Sequence, residues 1–218
     1  MKPKFWKRML SYFYDVPIER TGSDNNPVLD VFLVKGRYQL CTDKAIYSFA
    51  DKYDNFRDTF EQIILPDDGA VALLLGLGLG SIPFMLENTF KKKYSYTGIE
   101  LDDEIIYLAS KYVLDDLKSD IEIHTADAMV FMEINDQKYD MICMDIFDSD
   151  VIPAQFETKH YLEKLKSALS PDGLLIYNRL YQTKSDQVNT SKFYEAFVTV
   201  FPDARKLPIA GNMMILSK

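Results

Sequence analysis

Three of the nine glycines in this 218-residue chain fall within five positions, at Gly76, Gly78 and Gly80. They follow the apolar run Ala70–Leu75 and precede a predicted helix over residues 81–90. Glycine permits a tight turn and lets a ligand approach the backbone, while the first turn of a helix offers free N–H groups. The pattern therefore predicts a ligand-binding turn between a buried strand and a helix.

Strands and helices alternate regularly from this turn onward. The predicted strands cover residues 70–75, 96–100, 121–124, 139–145, 174–178, 204–208 and 212–217. Strands separated by helices form right-handed crossovers, and so a parallel sheet that is covered on both faces. Only a few residues, Gly211 among them, join the last two strands, so these two should pair antiparallel. We expect an α/β fold with a mostly parallel seven-stranded sheet and an antiparallel C-terminal strand.

The first 65 residues carry different patterns. Residues 28–50 are typical of strands around a turn at Lys35 and Gly36, and residues 53–64 are typical of a helix. The predicted divisions are a helical and loop segment (1–27), a small β-hairpin unit with a helix (28–65) and a main domain (66–218).

An aromatic and basic stretch occupies residues 2–14. Phe5, Trp6, Leu10 and Phe13 share roughly one face of a predicted short helix. Such a face suits a membrane surface, but docking on the protein core or on another subunit is the favoured interpretation.

Composition narrows the range of partners. The formal net charge is −8, which repels phosphate backbones and suits a cationic small substrate, so nucleic acid is not an expected partner. No apolar stretch is long enough to cross a bilayer and no signal peptide is recognised, so we expect a cytoplasmic protein with no membrane partner. Cys41 and Cys143 do not make a disulfide framework, which also favours a reducing compartment. His124 and His160 lack partners at metal-ligand spacing, so no metal site is predicted.

Two acidic residues follow the second and third strands of the predicted sheet. Glu100 comes 20 residues after Gly80, where a carboxylate accepts hydrogen bonds from both ribose hydroxyls of a nucleoside. Asp127 suits either the amino group of an adenine or the N-cap of the next helix, and the two roles are compatible. The NAD fingerprint G-x-G-x-x-G is not matched, because its third glycine comes early and Ser81 follows. S-adenosylmethionine is therefore favoured, with NAD as the alternative.

The fourth strand ends in three carboxylates, Asp145, Asp148 and Asp150. Ligands of open parallel sheets bind outside the carboxyl ends of the strands, so this cluster should face the same crevice. It is suited to holding an ammonium group, and one member is suited to accepting a proton from an amine nucleophile. Asp145 should lie deepest, with Asp148 nearer solvent, while Asp150 fits a solvated loop.

The run over residues 71–178 resembles the spermidine synthase-like branch of the Rossmann-type S-adenosylmethionine-dependent methyltransferase superfamily. The segments that carry the resemblance are 74–80, 98–102, 126–128, 139–145 and 169–173. The resemblance implies a Rossmann-like methyltransferase fold with S-adenosylmethionine or its decarboxylated form as the donor. It also implies that Gly76, Gly78 and Gly80 hold the donor, that Glu100 binds its ribose and that Asp127 and Ala128 meet its adenine. Asp145 would be the base, Asp148 would hold an amine substrate, and Tyr47 would help close the acceptor pocket.

Two departures from the family pattern leave the reaction open. Leu79 stands where polyamine-forming members carry an Asp, and Tyr47-Ser48-Phe49 stands where they carry Tyr-His-Glu. Transfer of an aminopropyl or methyl group to a small amine or another small nucleophile is the favoured function. A small-molecule methyltransferase without polyamine activity and a degenerate nucleoside-binding or oligomerisation protein are the alternatives. The hairpin unit hints at a homodimer by resemblance alone.

Overall fold

Two β-sheets organise the computed structural model, which describes residues 3–42, 46–148, 151–209 and 211–218. A four-stranded antiparallel sheet precedes a seven-stranded sheet along the chain. The first sheet is formed by β1 (Val16–Thr21), β2 (Leu29–Val34), β3 (Arg37–Cys41) and β4 (Ile46–Ser48).

Strand β1 lies inside the segment that the sequence assigned to helix and loop. The predicted hairpin is present as β2 and β3 around Lys35 and Gly36, and β1 and β4 extend it to a four-stranded antiparallel sheet. Glu19 and Arg20 disguise the strand, because their charges suggest a solvated loop. In the structure Arg20 donates to Asp30 on β2 through Nε and Nη2, and Lys111 donates to both oxygens of Glu19. Polar partners on neighbouring elements thus replace the apolar alternation that normally reveals a strand.

The main sheet has the predicted architecture. Its strands are β5 (Val71–Leu75), β6 (Ser95–Glu100), β7 (Ile121–Thr125), β8 (Tyr139–Met144), β9 (Leu169–Leu180), β10 (Arg205–Ile209) and β11 (Asn212–Leu216). Their order across the sheet is β10-β11-β9-β8-β5-β6-β7. The five strands from β9 to β7 pair parallel, whereas β11 pairs antiparallel with both β9 and β10. The mostly parallel seven-stranded sheet with an antiparallel C-terminal strand is confirmed.

Helices cover both faces of this sheet. They are α1 (Phe5–Leu10), α2 (Asp54–Phe60), α3 (Ser81–Asn88), α4 (Asp103–Tyr112), α5 (Ala128–Ile134), α6 (Lys159–Ala168) and α7 (Lys184–Val200). Side chains of β5 alternate between two hydrophobic clusters, since Leu74 packs with α3, α4 and the N-terminal sheet while Leu73 and Leu75 pack with α5, α6 and α7. Burial on both faces fixes the register of β5 and therefore the position of the glycine turn that follows it.

Helix α1 is an exception, since none of its side chains is buried. The helix is attached to the core at its C-terminal end alone, where Leu10 packs against the hydrophobic cluster, and the expected docking on another subunit is not tested by a single chain. Within the described residues no helix combines the length and apolarity that a bilayer-spanning segment needs. The same residues contain no cluster of three His, Cys, Asp or Glu side chains arranged to hold a metal ion.

Candidate active site

The glycine turn after β5 lies directly against the end of β8. Gly76 has a φ of 87°, and a Cβ placed on it would lie 2.3 Å from the carbonyl oxygen of Asp145. Backbone bonds hold the two strand ends together, because the N–H of Asp145 donates to the carbonyl of Leu75 over 2.8 Å. Only glycine fits this approach, so the turn and Asp145 form one rigid unit.

Glu100, at the end of β6, faces the same turn. Its Oε2 accepts a hydrogen bond from the N–H of Gly78 over 3.1 Å, and its Oε1 accepts from the N–H groups of Leu101 over 2.9 Å and Asp102 over 3.3 Å. Burial raises the pKa of Glu100, while these N–H donors oppose the rise. Backbone donors fix the carboxylate at the edge of the cavity and leave Oε2 with a lone pair for a hydroxyl donor of a ligand.

Asp145 is held by two side chains from other elements. The hydroxyl of Tyr53 donates to its Oδ2 and the amide Nδ2 of Asn178, on β9, donates to its Oδ1, both over 2.8 Å. Nδ2 of Asn212, on β11, donates in turn to Oδ1 of Asn178 over 2.7 Å. Burial raises the pKa of Asp145 to about 6, against the two hydrogen bonds, which favour the anion. A carboxyl with that pKa is suited to accept a proton near neutral pH.

Asp127 and Ala128 lie at the end of β7, where α5 begins. Oδ1 of Asp127 accepts from the N–H of Met129 over 2.7 Å, which makes Asp127 the N-cap of the helix. Its second carboxylate oxygen is not used by the cap. Asp148 is exposed and lies in a short loop where its backbone pairs with Val151. Asp150, the third acid of the predicted cluster, lies outside the described residues.

A single cavity of about 780 Å³ brings most of the predicted residues together. Eight of the predicted site residues line this cavity: Tyr47, Gly76, Gly78, Glu100, Asp127, Ala128, Asp145 and Asp148. Gly80 is not part of this lining. It is the residue before α3, with a φ of 84°, and a Cβ placed on it would lie 2.5 Å from Leu114 Cδ2. The third glycine thus serves the packing of α3 rather than the surface of the cavity.

Comparison with known proteins places this geometry in a family. The model of the spermine/spermidine synthase domain matches residues 80–215, well over half of the chain. The chain belongs to the spermine/spermidine synthase domain family. The probable spermidine synthase of Corynebacterium glutamicum superposes with a TM-score of 0.74 at 17% identity, over 93% of this chain and 79% of that structure.

Curated relatives are similar over part of their length. A polyamine aminopropyltransferase of Vibrio vulnificus is 28% identical over 190 residues, which cover 83% of this chain and 59% of the relative. An eEF1A lysine and N-terminal methyltransferase of Bos taurus is 28% identical over 117 residues, covering 49% of this chain and 17% of the relative. The chain therefore spans less than two thirds of the length of either relative.

The two departures from the spermine/spermidine synthase pattern have structural roles here. Leu79 is buried in the hydrophobic core rather than in the lining of the cavity. Ser48 is also buried, and its hydroxyl lies 2.6 Å from the hydroxyl of Ser81 at the start of α3. The N–H of Phe49 donates to the same Ser81 hydroxyl over 2.9 Å. These bonds attach the N-terminal sheet to the glycine turn of the family domain.

Several lining residues were not identified from the sequence. Tyr53, Asn178 and Asn212 surround Asp145, and Asn26 reaches the other end of the cavity by donating to Asp102 over 2.7 Å. Asn178 could have been found, because it lies near the carboxyl end of a parallel strand, where ligands bind. Tyr53 has no comparable local signal, since it meets Asp145 across 92 positions of sequence.

Proposed function

We propose that this protein binds S-adenosylmethionine or its decarboxylated form and transfers an aminopropyl or methyl group to a small nucleophile. The observation that carries the proposal is that Glu100 and Asp145 line one cavity, joined by the turn at Gly76 and Gly78. A nucleoside donor needs a carboxylate that accepts hydrogen bonds from its ribose hydroxyls. The transfer reaction needs a second carboxylate near the reacting carbon to take up a proton. The cavity supplies both within one crevice.

Donor binding uses the first half of the cavity. The Glu100 carboxylate accepts from the ribose hydroxyls through Oε2, which bonds only the N–H of Gly78, because Oε1 already accepts from the N–H groups of Leu101 and Asp102. The oxygen of Asp127 that is not used as an N-cap accepts from the adenine amino group, beside the small side chain of Ala128. Gly76 and Gly78 let the donor approach the backbone.

Transfer takes place at the Asp145 end. The lone pair of the acceptor nitrogen attacks a carbon attached to the sulfonium, the N–C bond forms, and the C–S bond breaks with its electron pair going to sulfur. Asp145 takes the proton released from that nitrogen. The sulfonium is already activated, so the protein contributes mainly alignment and a proton acceptor. Asp148, at the exposed rim, attracts a cationic acceptor.

Charge in the cavity favours the decarboxylated donor. The described lining residues include five carboxylates and no Lys, Arg or His: Glu100, Asp102, Asp127, Asp145 and Asp148. A donor tail ending in an ammonium is attracted to such a wall, whereas a tail carboxylate is repelled by it. Aminopropyl transfer to an amine is therefore the favoured reaction.

Methyl transfer is the second candidate. Leu79 is buried, so the glycine turn offers no carboxylate of its own to a donor ammonium.

Isothermal titration calorimetry with both donor forms separates the two reactions, because the preferred donor should bind at least tenfold more tightly. Glu100→Gln should weaken that binding at least tenfold, since hydrogen bonds to a charged group are worth about 1.5–3 kcal/mol. Glu122→Gln, at an exposed site on β7, is the matched control.

Asp145→Asn tests the catalytic step. The variant should keep donor affinity within a few fold and lose turnover by at least a hundredfold, because an amide accepts no proton at neutral pH. Equal turnover in the variant would remove Asp145 as the base. Failure of the wild-type protein to bind either donor would remove the proposed function altogether.

A further inference from the structure

Residues 3–14 form a segment, here called the aromatic–basic segment, whose large apolar side chains other than Leu10 are exposed. Phe5 is 80% exposed, Trp6 55% and Phe13 83%. Helical spacing within α1 puts Phe5, Trp6 and Met9 within one arc of about 100°, and Phe13 lies in the turn that follows the helix. A helix that packs on its own domain buries such an arc, so this one is oriented the opposite way.

The segment is nevertheless held in place. Leu10 packs against the core cluster, and Ser11 is buried beneath the turn between β2 and β3. The Ser11 carbonyl accepts from the N–H of Lys35 over 2.7 Å, and its hydroxyl accepts from the N–H of Gly36 over 2.9 Å. One side of the segment is thus fixed to the N-terminal sheet, and the opposite side presents aromatic rings to the outside.

The charges of the segment all have the same sign. Lys4, Lys7 and Arg8 lie within it, and no acidic residue precedes Asp15, although the whole chain has a net charge of −8. Aromatic side chains beside basic ones are the pattern of helices that lie in the interface of an anionic bilayer. A two-fold contact between two copies through this face would place one basic patch against another, which opposes self-association through this face.

We propose that the aromatic–basic segment docks the protein on an anionic membrane surface, with Phe5, Trp6 and Phe13 inserted at the headgroup level and the basic side chains facing lipid phosphates. The site does not depend on the transferase reaction proposed above, and it is an alternative to the expectation from sequence that the protein has no membrane partner. The docking is peripheral, because α1, the one helix of the segment, is only six residues long.

Trp6 is the one tryptophan of the chain and so reports directly on this segment. The full chain is mixed with vesicles of phosphatidylcholine alone, or of phosphatidylcholine with phosphatidylglycerol, and tryptophan emission and co-sedimentation are recorded. The expected result is a blue shift and sedimentation with the anionic vesicles only, both reversed by high salt. No shift with anionic vesicles, or an equal shift with neutral ones, would overturn the proposal.

Three variants locate the effect. Lys4→Gln/Lys7→Gln/Arg8→Gln should lower anionic-vesicle binding at least tenfold, since each cation near an anionic bilayer contributes roughly a fivefold factor. Phe5→Ser/Phe13→Ser should also lower it while keeping the Trp6 reporter. Ile64→Ser, at an apolar side chain that is 95% exposed outside the segment, should bind as the wild type does. A concentration-dependent blue shift without vesicles, with a dimer in analytical ultracentrifugation, would assign the face to a second copy instead.

Discussion

The hydroxyl of Tyr53 donates a hydrogen bond to Oδ2 of Asp145 over 2.8 Å, and so the residue before α2 reaches the end of the central strand β8. Tyr53 stacks on Phe56, with ring centroids 6.0 Å apart and planes inclined by 16°. Burial, and then the charge of Asp145, raise the pKa of Tyr53 well above its ordinary value, so the phenol remains a donor throughout the neutral range. The bond therefore stabilises the anionic form of Asp145.

Replacing Tyr53 by Phe should move the acidic limb of the reaction to higher pH. The variant loses a donor to the carboxylate, so the pKa of Asp145 rises above about 6 and the proposed base is deprotonated over a narrower pH range. The limb of kcat/KM against pH should shift by roughly one unit. The carbonyl-carbon NMR shift of the Asp145 side chain should follow the same titration without turnover. Tyr47→Phe, at the tyrosine chosen from the sequence, should shift the limb less, and the opposite ranking would contradict the role given to Tyr53.

Asp145 also makes the stability of the fold depend on pH. Its folded-state pKa of about 6 lies above the ordinary 3.8, so the folded protein favours the protonated form. The resulting stability is fully present below about pH 4 and is lost as the pH rises through about 6. Between about pH 4 and pH 8, the wild type should lose up to roughly 3 kcal/mol of unfolding free energy relative to Asp145→Asn. Urea unfolding of both proteins at the two pH values measures this difference. If the two proteins differed in unfolding free energy by the same amount at both pH values, the charge of Asp145 would not destabilise the fold.

Local patterns predicted the main sheet and half of the site. The rule that ligands bind at the carboxyl ends of parallel strands was enough to bring Glu100 and Asp145 into one crevice, because each follows an apolar run. The same rule applied to β9 would have added Asn178. Tyr53 could not be found this way, since its contact with Asp145 depends on how the N-terminal unit packs on the main sheet.

Charged side chains and glycines limited the prediction in other ways. Strand β1 was missed because Glu19 and Arg20 find partners on neighbouring elements, which sequence spacing does not reveal. The glycine motif was read as one ligand-binding unit, yet its third member serves the packing of α3 against Leu114. A glycine shows where backbone space is needed, but the sequence does not say whether a ligand or a side chain takes that space.

Two glycines with nearly equal φ angles separate conformational strain from close contact. Gly76 has a φ of 87° and Gly69 a φ of 89°, but a Cβ at Gly76 would meet the Asp145 carbonyl at 2.3 Å whereas one at Gly69 would meet nothing within 4 Å. Gly69→Ala should cost about 1–2 kcal/mol for its left-handed conformation alone. Gly76→Ala should cost at least about 2 kcal/mol more, because backbone atoms of two strands must separate. It should also abolish donor binding in calorimetry. Equal unfolding free energies for the two variants would show that the turn and β8 are not in rigid contact.

The amide of Asn178 is oriented by Asn212, and this gives the most selective test of the Asp145 network. Because Asn212 donates to Oδ1 of Asn178, the Nδ2 of Asn178 is left to face Asp145. In Asn212→Asp the ionised carboxylate accepts hydrogen bonds and donates none. The side-chain amide of Asn178 must therefore rotate, so that its Nδ2 donates to residue 212 and its Oδ1 faces Asp145. The pKa of Asp145 should then rise by at least about one unit, given the worth of a hydrogen bond to a charged group.

Asn212→Ala distinguishes rotation of the Asn178 amide from simple loss of the hydrogen bond between residue 212 and Asn178. That variant leaves Asn178 free to keep its bond to Asp145, so the acidic limb should move less than it does with Asp at position 212. The charge introduced by Asn212→Asp acts on Asp145 through space as well, and a double-mutant cycle in an Asn178→Ala background isolates this contribution. A shift of the same size in both backgrounds would mean that the charge alone acts. A shift that shrinks by half or more without Asn178 would show that the amide carries the effect, and that a residue on β11 sets the basicity of a carboxyl on β8 by fixing which atom its neighbour presents.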